Sequence, residues 1–337
     1  MKRMLAEWEN PRKILVSLPA SHTDWNYIFD EAIEQFRLLI GKLLEGGETL
    51  IVLSDDHSCE EMGPLRTHPA VELIRDVNYN DTWTRDYGPI TVEEKGTVSE
   101  LDFGFNGWGL KFAADKDNLV NLHLKERGYL DKKRYRNNRD FTLEGGSVES
   151  DGKGLILTTS KCLCSPNRNG GKSKSEIEEI LRVRLGAEKV LWLDHGFLAG
   201  DDTDSHIDTL ARIAPNDSII YVAPPADNND IHYEEFIKME EDLNGFKSLD
   251  GHPFNLIPLP FPDAIYDDEG MRLPATYANY LVTGRNVFVP TYAQPDKDNE
   301  ACRQIRKAFP DHKILPVECL TLIKQHGSLH CSTMQLY

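Results

Sequence analysis

The sequence predicts an α/β fold. Three observations carry that expectation. Short runs rich in Val, Ile, Leu and aromatics recur along the chain, helix-like periodic stretches lie between several of them, and no Pro/Ser-rich linker or low-complexity run divides the 337 residues. Strands alternating with helices imply an α/β architecture. At ~100–200 residues per domain the length allows two domains or one large one; the undivided chain reads as one compact domain over 1–337.

Taken in order, the first run is ILVSL at 14–18. Residues 24–47 then predict a helix: Asp24 is placed to cap it, apolar residues follow at three- and four-residue spacing, and Gly46-Gly47 ends it. Further strands are predicted at 49–54, 154–159, 189–194, 218–223 and 287–292, each bounded by Gly, Pro, Asn or Asp. Helices are predicted at 174–186 and 232–245. The apolar stretch 314–324 makes the C-terminal tail read as ordered rather than frayed. No internal repeat is legible, so a recurring ββαβ unit is not claimed from the pattern.

Bulk properties exclude several classes. With 55 acidic against 38 basic residues the net charge is -17, the wrong sign for a phosphate-backbone partner. That acidity favours the approach of a cationic small molecule and also simply aids solubility. No stretch approaches the ~18 consecutive apolar residues of a membrane span, and the start, MKRMLAEWENPRK, has no apolar signal core. The six cysteines, without an export signal, read as reduced thiols of a cytoplasmic protein. Cys162 and Cys164 form a C-x-C without the second pair that a zinc site needs.

Polar residues crowd four places: 80–90, 143–152, 200–213 and 326–335. Glycine-flanked loops at strand ends are where such scaffolds present chemistry. In the third segment His206 and Asp208 are two apart and would share a face on a strand. They suit a general acid/base beside a cation-binding carboxylate, a metal-ligand pair, or a solvated acidic loop. In the fourth, Cys331 follows His330; it is either a small buried hydrophobe or a nucleophile with His206 as its base. On a strand His330 would face away from it. In the first, Trp83, Arg85 and Asp86 form either a packed turn with an Arg-Asp ion pair or a wall and carboxylate for a flat cation. In the second, Glu144 precedes two glycines, which permit close backbone approach; it either orients a catalytic His or is an ordinary strand-end carboxylate.

AEWE at 6–9, WTRDYGP at 83–89, EGGSVESDG at 144–152, CLCSPNRN at 162–169, DDTDSHIDTLARI at 201–213, PTY at 290–292 and GSLHCSTMQ at 327–335 together resemble the agmatine deiminase family and its bacterial-type peptidyl-arginine deiminase relatives. The resemblance covers almost the whole chain. It implies a five-fold pseudosymmetric α/β propeller of guanidino-group-modifying enzymes, with a central site. It implies Cys331 as nucleophile (G-x-x-H-C), His206 as general acid/base, Asp86 and Asp208 as guanidinium-binding carboxylates, Glu144 as the partner that fixes the histidine and reaches the guanidinium, and Trp83 as a tunnel wall. It further implies hydrolysis of agmatine, no metal or organic cofactor, and a homodimer or larger homo-oligomer. The chain departs from the family pattern at Ser328-Leu329, where Gly-Ile is frequent, and at Met334, where Gln is frequent. Ser328 thus places a hydroxyl near the nucleophile, suited to altering fit at the mouth.

The residue set suits the chemistry. Two carboxylates can each accept paired N–H bonds from a planar guanidinium, and a cation beside a thiol favours its thiolate. Agmatine carries an ammonium where arginine also has a carboxylate, so the acidic run Asp201, Asp202, Asp204 offers a distal partner, Asp202 first.

Overall fold

The computed structural model describes residues 2–337. The described residues form five sheets, and one arrangement recurs in all of them. A central strand pairs antiparallel with one neighbour and parallel with the other, and a helix carries the chain to the parallel partner. Lys13–Ser17 lies antiparallel to the C-terminal Met334–Leu336 and parallel to Leu50–Leu53, reached through Phe29–Glu45. Thr97–Gly104 lies between Ile90–Glu94 and Tyr135–Thr142, with Val120–Arg127 as crossover. Leu155–Thr159 lies between Val148–Ser150 and Lys189–Leu193, with Lys174–Leu185. Ser218–Val222 lies between Ala211–Ala214 and Asn255–Leu259, with Tyr233–Gly245. Asn286–Thr291 lies between Leu281–Val282 and Lys313–Glu318, with Pro295–Ala308. Two sheets gain an outer strand, Val71–Ile74 and Lys2–Met4.

The central strands carry apolar side chains on both faces because helices or neighbouring sheets cover both. Leu155–Thr159 and Ser218–Val222 are buried at every position, which is why these runs stood out in the sequence. The expected 24–47 helix is in two pieces: a 3-10 turn, Asp24–Ile28, precedes the α-helix Phe29–Glu45, and Asp24 makes no capping bond. The helix from Lys174 is capped by Ser173, whose side chain exchanges bonds with Glu176.

The recurring unit places the chemistry. In each sheet the segment just before the antiparallel strand turns inward. These segments carry Asp86 before Ile90, Glu144 before Val148, His206 and Asp208 before Ala211, Asn279 before Leu281, and Cys331 before Met334. The C-terminal strand Met334–Leu336 pairs with Lys13–Ser17 near the start of the chain, which orders the tail that holds Cys331. No helix among the described residues is long and apolar enough to cross a membrane.

Candidate active site

Cys331 sits in a tight turn at 329–332, not on a strand. Asn279 grips that turn: its Oδ1 accepts the His330 N–H at 2.9 Å and the Cys331 N–H at 3.3 Å, and its Nδ2 donates to Cys331 Sγ at 3.3 Å. Because the backbone turns here, His330 does not face away as a strand would have it. Its Nδ1 lies 2.7 Å from Asp208 Oδ2, and Cys331 Sγ lies 3.9 Å from the same oxygen. Burial pushes the Cys331 thiol well up, and the charges of Asp208 and Asp86 push the same way. At neutral pH the group is therefore a thiol.

The carboxylates reach the site from turns. His206 and Asp208 bracket the start of a 3-10 turn, Ile207–Thr209, rather than sharing a strand face. The turn still brings them together. A Cβ at Gly146 would lie 2.8 Å from Asp86 Oδ1, 2.8 Å from His206 Nδ1 and 3.0 Å from Asp208 Oδ2. Glycine is needed here for space. Asp86 Oδ1 accepts the Gly146 N–H at 3.0 Å, and Oδ2 accepts Trp108 Nε1–H at 2.9 Å. Burial, with Asp208 nearby, raises the Asp86 carboxyl to about 6. Asp208 goes the other way: burial opposes its ionisation, but the His330 hydrogen bond and nearby positive charge hold it below the usual value. Arg85 does not pair with Asp86; it turns to Glu7 at 3.1 Å and to Gln335, on the far side of the turn.

His206 is fully buried, and among the described residues neither ring nitrogen has a hydrogen-bond partner. Its nearest carboxylate oxygen in an ion-pair sense is Asp86 Oδ1, 3.5 Å from Nδ1. Glu144 lies close, with a carboxylate oxygen, Cys162 Sγ and a His206 nitrogen all within 4.8 Å of one another. That trio has metal-ligand chemistry, yet both Glu144 oxygens accept from Arg168 Nε at 2.9 and 3.0 Å, so a cation already occupies its charge.

Above Cys331 and Asp86 opens a cleft. Trp83, Trp108 and Phe112 supply its apolar surface, and Asp24, Asp81, Asp201 and Asp202 line it as well. No Lys or Arg among the described residues lines it. Trp83 lines the cleft, and Gly327 packs on its ring so closely that a Cβ would collide with it. Asp202 is at the rim, with Oδ2 3.8 Å from His326 Nδ1. Ser328 is not at the mouth as expected; it is buried and its hydroxyl pairs with Tyr292 Oη at 2.9 Å.

A sequence profile of the Porphyromonas-type peptidyl-arginine deiminases matches residues 3–336. The chain belongs to that family. A Listeria monocytogenes relative provisionally named agmatine deiminase 2 is 32% identical over 292 residues, 80% of this chain and 77% of its own length. The crystal structure of a provisional peptidyl-arginine deiminase superimposes with a TM-score of 0.94 at 46% identity, covering 100% of this chain and 98% of that one. A cysteine-to-serine variant of the C. jejuni agmatine deiminase, with substrate bound, gives a TM-score of 0.92 at 35% identity, with 100% and 96% covered.

Within this family frame the sequence reading overlooked three contributors. Asn279 has no flanking motif that marks it. Trp108 stands in FGFNGWGLKF, where alternating glycines were the available signal; Trp108 itself adopts φ 53 between Gly107 at φ 67 and Gly109 at φ 82. Glu7 was visible in AEWE, but only folding shows its Oε1 2.7 Å from His330 Nε2 and its Oε2 2.7 Å from Arg212.

Proposed function

We propose that the chain is an agmatine deiminase, hydrolysing the guanidinium of agmatine to N-carbamoylputrescine and ammonia. The observation that carries this reading is the convergence of two buried carboxylates, Asp86 and Asp208, with His206 around Gly146, beside a thiol, Cys331, at the floor of an acid-lined cleft. The five recurring units support the five-fold propeller, a single domain in which the C-terminal strand pairs with Lys13–Ser17.

In the proposed reaction Asp86 and Asp208 take the guanidinium N–H groups in fork geometry. The Oδ1 of Asp208 is free for this, having no partner among the described residues. The bound cation offsets the two charges that hold the Cys331 proton on, so substrate binding itself favours the thiolate, and the thiol proton passes to His206. Sulfur attacks the central carbon; His206, as imidazolium, gives its proton to one nitrogen, and the C–N bond breaks to release ammonia. An S-alkylthiouronium remains on Cys331. Neutral His206 then takes a proton from water, whose oxygen bonds to the same carbon, and collapse expels the thiolate and frees the ureido product. Glu144 stands as a third carboxylate within 4.8 Å of a His206 nitrogen; it makes no hydrogen bond to the imidazole and is held by Arg168, so its part here is charge and packing beside the histidine. No step needs a metal or organic cofactor.

Selectivity for agmatine follows from charge. An arginine carboxylate would enter a cleft bordered by Asp24, Asp81, Asp201 and Asp202, without a cationic clamp, whereas the agmatine ammonium is attracted there. Asp202 remains the first candidate for its partner. The proposal extends to a cytoplasmic homo-oligomer acting in the agmatine-to-putrescine route. The test is ammonia release from agmatine and arginine in parallel, by the parent protein and Cys331→Ser, with and without chelator. Release from agmatine alone, insensitive to chelator and lost in the variant, is expected. Preferential release from arginine would overturn the substrate, and chelator sensitivity the cofactor-free mechanism.

A further inference from the structure

The CLCSPNRN segment contributes no group to the proposed chemistry, yet its arginine is among the most heavily bonded side chains next to the site. Arg168 comes from a four-residue turn, Pro166–Asn169, and its side chain is fully buried. Nε donates to both oxygens of Glu144, Nη1 to Asp204 Oδ2 at 2.7 Å, and Nη2 to the Thr203 carbonyl at 2.7 Å. The turn is itself laced to its neighbours. Asn169 Oδ1 accepts the Thr142 N–H at 2.9 Å and its Nδ2 donates to the Thr142 carbonyl at 2.8 Å, two residues before Glu144. The Asn167 carbonyl accepts from Asn106 at 2.8 Å, two residues before Trp108.

What the guanidinium holds is a strained delivery loop. Asp204 and Ser205 both adopt left-handed backbone, φ 65 and φ 63, conformations that cost non-glycine residues free energy unless the surroundings enforce them. His206 follows directly. Its imidazole has no partner of its own among the described residues, so its place is set by the backbone that carries it and by packing. That backbone is tied down at Thr203 and Asp204 by Arg168, and from the other side by Asp201, which accepts the Ser205 N–H at 2.7 Å. Asp204 passes the restraint on through Oδ1 to Lys111 at 2.7 Å, in the same loop as the Trp108 that bonds Asp86.

We infer that Arg168 is the positioning residue of this site: one planar fork fixes Glu144 and the 203–205 loop relative to each other, and so fixes the acid/base His206 over the reacting carbon. The assignment rests on the deiminase reading above. Lysine cannot replace it, since one ammonium cannot bond a carboxylate, a second carboxylate and a carbonyl in three fixed directions.

Arg168→Lys tests this with agmatine as the substrate and the parent enzyme alongside. Misplacing a catalytic group by ~1 Å costs on the order of 100-fold, so kcat should fall by about that factor while KM changes by less than roughly threefold. Asp204→Asn keeps the Glu144 bond and suits left-handed backbone; it should lower kcat by roughly 3- to 10-fold with KM unchanged, and it decides the matter if Arg168→Lys fails to fold. Parent-like kcat in both variants, or a loss in active-site number with unchanged turnover per site, overturns the assignment. Failure of the parent enzyme to release ammonia from agmatine overturns the deiminase reading and this assignment with it.

Discussion

Asp86 should make the protein less stable at neutral pH than an uncharged replacement would, and Asp86→Asn is the perturbation that exposes this. Its carboxyl titrates at about 6 in the folded protein against an ordinary 3.8, raised by burial first and by Asp208 among its neighbours. Each unit is worth ~1.4 kcal/mol, so ionised Asp86 destabilises the folded protein by about 3 kcal/mol above pH 6. The sign follows from linkage. A raised folded-state value means that its contribution to stability is complete below about 4 and is lost as pH rises through about 6. Asparagine escapes that loss but keeps a single oxygen for two donors, Gly146 N–H and Trp108 Nε1–H. The donor left facing an amide NH₂ costs about 1–2 kcal/mol. At pH 7.5 Asp86→Asn should therefore be the more stable protein by roughly 1–2 kcal/mol, and near pH 4.5 that advantage should shrink by about 2 kcal/mol, to parity or a slight deficit. Urea unfolding of both proteins at the two pH values measures the difference directly, and groups common to both cancel. Activity should move oppositely, kcat/KM falling by at least about 1000-fold as a charged acceptor for the guanidinium disappears. A ΔΔG independent of pH, or a destabilised variant at pH 7.5, would refute the claim that Asp86 is held ionised against its surroundings to receive a cation.

Two further perturbations probe the same centre. Gly146→Ala places a methyl 2.8 Å from both Asp86 Oδ1 and His206 Nδ1; the protein should fold, since those groups can yield, but kcat/KM should drop by on the order of 100-fold, and normal turnover would mean that the convergence is not the reacting geometry. For the parent enzyme kcat/KM should decline below about pH 6 as Asp86 takes up its proton. Trp108→Phe removes a donor to the ionised form, so that acidic limb should move to higher pH and kcat/KM at neutral pH should fall about 10-fold; an unmoved limb would detach Asp86 from it.

Four of the five central strands were legible because they are buried along most of their length; Thr97–Gly104, exposed at its start, was not expected. The expected 154–159 and 218–223 fall within a residue of Leu155–Thr159 and Ser218–Val222. Of the flanking strands, the expected 49–54 and 189–194 meet Leu50–Leu53 and Lys189–Leu193, and the others were not expected. Tyr135–Thr142 reads YRNNRDFT and is half-exposed, so it carries no apolar run, and the fivefold recurrence of the unit lies in pairing that distant sequences impose on each other. At the site, residue identities were readable from motifs, but the local geometry was not. His206 and Asp208 meet through a 3-10 turn rather than a strand face, and His330 and Cys331 meet at one Asp208 oxygen because the chain folds back at 329–332. Arg168 was a bare letter in NRN until Glu144, Thr203 and Asp204 stood around it. Asn279 emits no sequence signal at all, since its function is to hold a turn 51 residues away.

The most direct test of the account is the covalent step. Parent protein turning over agmatine, quenched in acid and weighed intact, should carry a mass gain equal to agmatine less ammonia, and fragmentation should place it on Cys331, with none in Cys331→Ser. Turnover with no adduct under any quench, or an adduct on another residue, would contradict the assignment of Cys331 as the nucleophile.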